Sequence, residues 1–228
     1  MKLLNKYSLA ETVDAVNEAL FFGKNITGEQ KKQIALWLAS RQGAKGSYSG
    51  MIAPTEIDFK TGIKVFTGEP VTTRAGTSHI LGEESSKILL KLGVKNKAVV
   101  NALDKSIKGF EKGMKRAVEM GYNDGFYCCG KCTAAYWQNL AAGGLKYQER
   151  RLNKGMKILY KLRDGKGRWR RMPFYYTLLA LSEIDSPLAN KELEYAAPGL
   201  EKLLKRFNDK DKYGKRRKKL IEQVLSII

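Results

Sequence analysis

Residues 159–169 read Leu159-Tyr160-Lys161-Leu162-Arg163-Asp164-Gly165-Lys166-Gly167-Arg168-Trp169. The stretch begins as the end of a helix with periodic apolar residues. It continues as a glycine turn and closes with the pattern Gly-x-aromatic. Residues 38–48 repeat the same pattern and end at Tyr48. When the same sequence pattern recurs at the ends of successive helices, it indicates an array of helices. Glycine permits the positive φ angles that such turns require.

A third, less regular copy runs through residues 120–127. The glycines that align in the three copies are Gly46, Gly125 and Gly167, and an aromatic residue follows each of them by two positions. The interval between the second and third glycines accommodates two helices and their turns. The interval between the first and second is longer and leaves room for an insertion.

We place this insertion at residues 50–74, where the helical period is lost. Two short alternating runs, residues 56–59 and 63–66, flank Gly62. Alternation on both sides of a glycine is typical of a β-hairpin. We therefore predict a short β-hairpin insertion on the surface of the protein.

The remainder of the chain favours helices. The 228 residues contain only five prolines and are 43% hydrophobic, and helix-start signals occur at Ser8, Thr27, Thr77 and Pro173. Helices are predicted over residues 8–22, 28–41, 76–92, 96–120, 132–142, 147–163, 173–184, 187–206 and 212–227. Short turns join them, so we expect antiparallel helical hairpins in a single domain, residues 1–228.

The chain has no apolar run near the roughly 20 residues that a membrane span needs. Its N-terminal residues lack the apolar segment of a secretory signal. The three cysteines are clustered and odd in number, which is not the pattern of a disulfide framework. We expect a cytoplasmic protein with no membrane span.

Two of the helix ends resemble the Gln-Trp repeat of the squalene and hopene cyclases. The first has Gln42 and Tyr48 at the positions of the Gln and the Trp, and the second has Arg163 and Trp169. Two further segments are similar to the protein prenyltransferase β-subunits. Residues 124–127, Asp-Gly-Phe-Tyr, resemble their Asp-Gly-Cys-Tyr, and residues 174–177, Phe-Tyr-Tyr-Thr, resemble their Phe-Tyr-His-Thr.

Both families fold as α/α toroids of helical hairpins, with inner helices around a central cavity. The resemblance implies an all-α protein of this toroid class. It does not extend to the chemistry of either family, because Phe126 and Tyr176 stand at two of the three zinc-ligand positions and only Asp124 is kept. The motifs Asp-x-Asp-Asp and Asp-Asp-x-x-Asp are absent. We expect the prenyltransferase-type zinc site to be empty, and whether the protein is an enzyme stays open.

The cysteines suggest a different site. They occur in Cys128-Cys129-Gly130-Lys131-Cys132, just before a predicted helix, where amide groups stabilise negative charge. Cys129-x-x-Cys132 is half of a zinc or redox motif, and with His79 and Asp124 it offers four ligands for zinc or iron. The alternative is that small thiols pack in a crowded helix start. We predict no cofactor, with this metal site as the alternative.

Three residues are candidates for catalysis. His79 and Glu83 are four residues apart on a predicted helix, so they share one face and can form a general acid–base pair. Asp124 is the third candidate. The alternative for His79 is a histidine that caps the start of its helix.

The chain is strongly basic, with 42 Lys and Arg against 23 Asp and Glu and a net charge of +19. The basic residues concentrate in residues 146–171 and 201–228. Arg150, Lys154 and Lys157 lie on one helix face together with Lys161. Such a stripe binds nucleic acid or another polyanion by counterion release. It is equally expected of a solvated outer helix.

The main functional hypothesis is a small ligand in the central cavity. Aromatic side chains supply apolar walls, and the arginines around Trp169, among them Arg168, fit a phosphate or carboxylate. The residues expected to bind this anionic, partly apolar ligand are Tyr127, Trp169, Arg170, Arg171 and Tyr176. The alternative function is non-catalytic polyanion binding through the basic outer helices.

Overall fold

The computed structural model describes residues 2–228. Within them, ten helices account for most of the chain, and two short strands form an antiparallel sheet. In chain order the elements are α1 (Leu9–Phe21), α2 (Gly28–Ser40), α3 (Glu56–Thr61), β1 (Ile63–Lys64), β2 (Pro70–Val71), α4 (Arg74–Leu92), α5 (Lys97–Glu119), α6 (Gly130–Ala141), α7 (Gln148–Lys161), α8 (Phe174–Ser182), α9 (Pro187–Leu204) and α10 (Lys212–Ile227). No helix in residues 2–228 combines the length and the apolar character needed to cross a membrane.

The prediction of a mostly helical protein with a small β element is confirmed. The Ser8 side chain caps α1 by accepting a hydrogen bond from the backbone of Glu11, and Thr27 caps α2 in the same way. Helix α4 begins before the predicted residue 76, because Thr73 caps it by accepting from the Gly76 N–H. The toroidal arrangement of the helices stays a prediction.

The predicted β-hairpin is right only in part. Residues 56–59 lie in α3 and not in a strand, because Thr55 and Asp58 form a capping box at its start. The sheet instead pairs β1 with β2, with Ile63 opposite Val71. An alternating pattern of four residues is thus a weaker signal for a strand than the Thr55–Asp58 capping pair is for the start of a helix.

The chain divides into two compact units. Among the described residues, unit 1 holds 2–66, 70–116 and 142–145, and unit 2 holds 67–69, 117–141 and 146–228. In unit 1, α4 packs against α1, α2 and α3, and every residue from 77 to 89 is buried. In unit 2, α8 packs against α6, α9 and α10, and residues 176–181 are buried. Helix α6 of unit 2 is buried as well, over residues 132–140, so the core of unit 1 is built on α4 and that of unit 2 on α6 and α8.

The glycine turns form in two of the three aligned places. Gly46 has φ of +90° and Gly167 has φ of +81°, a conformation that favours glycine. Gly125 does not share this conformation. A Cβ atom at Gly125 would lie 2.5 Å from the backbone nitrogen of Gly155 in α7, so this glycine permits close packing of two chain segments.

Candidate functional site

The predicted ligand-binding residues separate into buried aromatics and exposed arginines. Tyr127 and Tyr176 have no exposed surface, and Trp169 is 4% exposed. Arg170 and Arg171 are exposed. These three aromatic side chains are thus packed within unit 2, and ligand binding by them, as by Arg170 and Arg171, stays a prediction.

Asp124 is held in an ion-pair cluster. Its carboxylate lies 3.0 Å from Arg150 Nη2 and 2.8 Å from Lys154 Nζ. Its backbone carbonyl accepts a hydrogen bond from the Tyr136 hydroxyl at 2.8 Å. This cluster neutralises two cations of the basic stripe on α7. A catalytic role for Asp124 stays a prediction.

His79 and Glu83 lie together in the buried part of unit 1. The distance from His79 Nε2 to Glu83 Oε1 is 3.4 Å, and both side chains are almost fully buried. The Tyr48 ring stacks on the imidazole, with 4.1 Å between ring centroids. The pair shares one helix face, as expected. Acid–base catalysis by these two residues stays a prediction.

The predicted metal ligands lie in different units. His79 belongs to unit 1, whereas Cys129 and Cys132 belong to unit 2, at the start of α6. Cys129 is exposed, Cys132 is buried, and neither forms a disulfide. A site that joins these three residues, with zinc or iron, stays a prediction.

Unit 2 contains a surface cavity of about 470 Å³ that we call the cationic pocket. It lies between the glycine turn that follows α7 and the C-terminal end of α9. Its lining residues are Lys166, Gly167, Arg168, Phe174, Gly199, Lys202, Leu203, Arg206, Phe207 and Asn208. Four of them carry positive charge and none carries negative charge, so the pocket is suited to an anion.

The cations of this pocket are available for a ligand. Within the described part of the chain, none of the four cationic side chains takes part in an ion pair. The guanidinium carbon of Arg168 lies 4.5 Å from the centroid of the Phe174 ring. This cation–π contact orients the guanidinium without neutralising its charge. The rings of Phe174 and Phe207 supply apolar walls.

Asp164 anchors the turn that carries two of these cations. Its Oδ1 accepts hydrogen bonds from the backbone N–H groups of Lys166 at 2.8 Å and Arg168 at 3.0 Å. The Tyr195 hydroxyl donates to the same oxygen at 3.1 Å. The hydrogen bond from Lys166, followed by those from Arg168 and Tyr195, lowers the pKa of the Asp164 carboxyl below its ordinary value, although slight burial opposes this. The turn is therefore fixed by an ionised carboxylate.

The pKa of Tyr175 depends on charges near the cationic pocket. Its ring packs edge-on against Phe207, with 6.4 Å between centroids. Burial raises the pKa of Tyr175 above its ordinary value, while the positive charges of Arg217 and Arg168 act to lower it. Because Arg168 lines the pocket, this phenol can report a change of charge there.

A second cavity of about 750 Å³, formed by residues of α7 and α9 together with Arg163, has a different character. Its lining includes Lys157, Lys161 and Lys191, but also Glu192 and Glu194. Because both cations and carboxylates line it, this cavity is less suited to an anion than the cationic pocket.

Comparisons of the chain with models of protein families, with curated proteins and with solved structures find no match. The likeness to cyclases and prenyltransferases therefore rests on the short motifs alone.

The residues that α9 and the segment after it contribute to the cationic pocket were not predicted from the sequence. Lys202, Arg206 and Phe207 lie at and beyond the end of α9, far along the chain from Arg168. The density of cations in residues 201–228 was the available signal. It did not indicate which of them face a cavity.

Proposed function

We propose that the protein binds a small anionic ligand with an apolar part in the cationic pocket of unit 2. One observation carries the proposal. Four cationic side chains without ion-pair partners in the described chain surround a cavity that has aromatic walls and no carboxylate. A guanidinium group donates two parallel hydrogen bonds to two oxygens of one phosphate or carboxylate. The neighbouring aromatic rings exclude water from the apolar part of the ligand.

The size of the pocket supports a small molecule. A volume of about 470 Å³ lies within the range of about 300–1,000 Å³ that is typical of small-ligand sites. Arg168 and Lys166 come from a turn fixed by Asp164, so part of the anion site is already arranged before a ligand binds. Such preorganisation reduces the entropy lost on binding.

Phenyl phosphate is a suitable probe, because it joins a phosphate to one aromatic ring. We expect isothermal titration calorimetry to show tighter binding of phenyl phosphate than of inorganic phosphate, and no binding of phenol. Arg168→Gln should weaken the binding of phenyl phosphate about tenfold, since a hydrogen bond to a charged group contributes about 1.5–3 kcal/mol.

Lys157→Gln is the matched control, because Lys157 lines the other cavity and the charge change is the same. Equal weakening by both variants would mean that general charge attracts the probe, and the proposal would be wrong. It would also be wrong if phenyl phosphate bound no more tightly than inorganic phosphate.

Polyanion binding by the α7 stripe is the competing function. The stripe is less available than its sequence indicates, because Arg150 and Lys154 pair with Asp124. A variant with Arg150, Lys154 and Lys157 all changed to Ala separates the two functions. If it abolished binding of single-stranded DNA with a steep salt dependence, while Arg168→Gln had no effect on any ligand, the outer-face function would be correct.

The α/α toroid and the cytoplasmic location belong to the same proposal. Support for the toroid comes from the helical content of the chain and from the glycine turns at Gly46 and Gly167, which have the positive φ that the repeated helix end requires. The ligand site proposed here lies in unit 2 alone and does not depend on closure of a ring.

A further inference from the structure

The three cysteines lie at the N-terminal end of α6. The carbonyl of Cys129 accepts the hydrogen bond of Thr133 N–H at 2.8 Å, so Cys129 is the N-cap residue and Cys132 lies in the first turn. None of the cysteines forms a disulfide. Backbone N–H groups at this end of a helix stabilise a thiolate.

The sequence motif pairs Cys129 with Cys132, but the structure brings a different cysteine near Cys132. The sulfur atoms of Cys128 and Cys132 lie within 4.8 Å of each other. Cys128 is exposed and Cys132 is buried. An exposed thiol beside a buried one suits a dithiol in which the exposed sulfur reacts with an external reagent. The buried sulfur then displaces that reagent and forms the disulfide.

The backbone around the two sulfurs is held firmly. The Thr133 hydroxyl accepts a hydrogen bond from the Tyr127 N–H at 3.0 Å, which fixes the segment between them. A Cβ atom at Gly130 would clash with the carbonyl oxygen of Arg171, so the start of α6 packs directly against the backbone at Arg171 and Met172. A disulfide has a sulfur–sulfur bond of about 2.05 Å, so side-chain rotation has to close the remaining gap.

We propose that Cys128 and Cys132 are a reversible thiol–disulfide pair that reacts with low-molecular-weight disulfides. The Cys128 thiolate attacks one sulfur of the external disulfide, which forms a mixed disulfide and releases one thiolate. The Cys132 thiolate then attacks the Cys128 sulfur and releases the second thiolate. The two protein thiols are oxidised by two electrons, their two protons pass to the released thiolates, and one external disulfide becomes two thiols.

The test uses the full chain and glutathione disulfide. The reduced protein is equilibrated in glutathione buffers of increasing oxidant fraction, the reaction is stopped with acid, and remaining thiols are alkylated. We expect peptide mass spectrometry to find the Cys128–Cys132 disulfide in the wild-type protein, with Cys129 alkylated. Excess reduced glutathione should restore all three thiols.

Single variants identify the pair. Cys129→Ser should form the disulfide as the wild type does, whereas Cys128→Ser and Cys132→Ser should form none and Cys132→Ser should stop at the mixed disulfide on Cys128. Circular dichroism of each variant checks that it is folded. A Cys129–Cys132 disulfide in the wild type, or mixed disulfides alone, would overturn the proposal.

Discussion

The guanidinium group of Arg163 and the carboxylate of Glu192 form a two-point ion pair in unit 2. The Nε–Oε2 distance is 3.1 Å and the Nη2–Oε1 distance is 3.0 Å. The Glu192 side chain is 3% exposed, and its Oε2 also accepts a hydrogen bond from Trp169 Nε1 at 2.7 Å. The Glu192 carboxylate thus connects both ends of the glycine turn, Arg163 and Trp169, to α9.

We expect Glu192→Gln to lower the free energy of unfolding by about 3 kcal/mol, because it leaves the partly buried Arg163 without its counter-charge. Urea unfolding followed by circular dichroism measures the change. Glu194→Gln is the control, since Glu194 is exposed on the same helix. Equal effects of the two changes would show that the Arg163 ion pair contributes no more than a surface pair.

Gly155 is required for close packing in unit 2. A Cβ atom at this position would lie 2.5 Å from Trp137 Nε1 and 2.7 Å from the Gly125 carbonyl oxygen. Trp137 donates to that same oxygen at 2.9 Å, so the added methyl group would interfere with the hydrogen bond. Gly155→Ala should reduce the free energy of unfolding by about 2–3 kcal/mol, as measured by urea denaturation.

Gly199→Ala provides the comparison for this prediction. Gly199 is inside α9, and the nearest atom that its Cβ would meet is the Lys166 carbonyl oxygen at 3.8 Å. Alanine has the higher helix propensity, so we expect this change to raise the free energy of unfolding by about 0.5–1 kcal/mol. Destabilisation of similar size at both positions would contradict the packing argument.

Asp58 joins the start of α1 to the start of α3 within unit 1. Its buried carboxylate accepts five hydrogen bonds from Ser8 Oγ, Leu9 N, Ala10 N, Thr55 N and Thr55 Oγ1. Asp58→Ala removes the acceptor of donors that are buried or partly buried, and we expect a loss of about 3 kcal/mol in the free energy of unfolding. Chemical denaturation tests this. The change Asp104→Ala, at an exposed residue of α5, should have almost no effect.

The stability of the protein should depend on pH through Asp164. Because the folded state holds the pKa of this carboxyl below its ordinary value, the stabilisation is complete above that value and is lost as pH falls through the lowered pKa. We expect the difference in unfolding free energy between the wild type and Asp164→Asn to be constant near neutral pH and to shrink in acid. Denaturation curves across this pH range measure it, and a difference independent of pH would contradict the prediction.

The ionisation of Tyr175 should report occupancy of the cationic pocket. An anion that neutralises Arg168 removes part of the positive charge that lowers the pKa of Tyr175, so the pKa should rise when phenyl phosphate binds. Arg168→Gln should raise it in the absence of ligand. NMR titration of tyrosine labelled at the Cζ carbon gives the pKa. Lys157→Gln should leave it unchanged.

Much of the secondary structure could be predicted from local signals. Ser8 and Thr27 cap helices as expected, and Gly46 and Gly167 adopt the positive φ angles that their turns require. The prediction was wrong at residues 56–59, where the Thr55 capping box starts a helix. Such signals act between residues close in sequence, which is why the sequence reveals them.

The candidate site depends on contacts that no local signal contains. The sequence placed Arg168 in a glycine turn and concentrated cations near the C-terminus. Only the tertiary structure brought Lys202 and Arg206 to the same cavity as Arg168, and paired Arg150 with Asp124 instead. Whether a cation is neutralised or left for a ligand is decided by which distant carboxylate packs beside it, and helical periodicity carries no information about that neighbour.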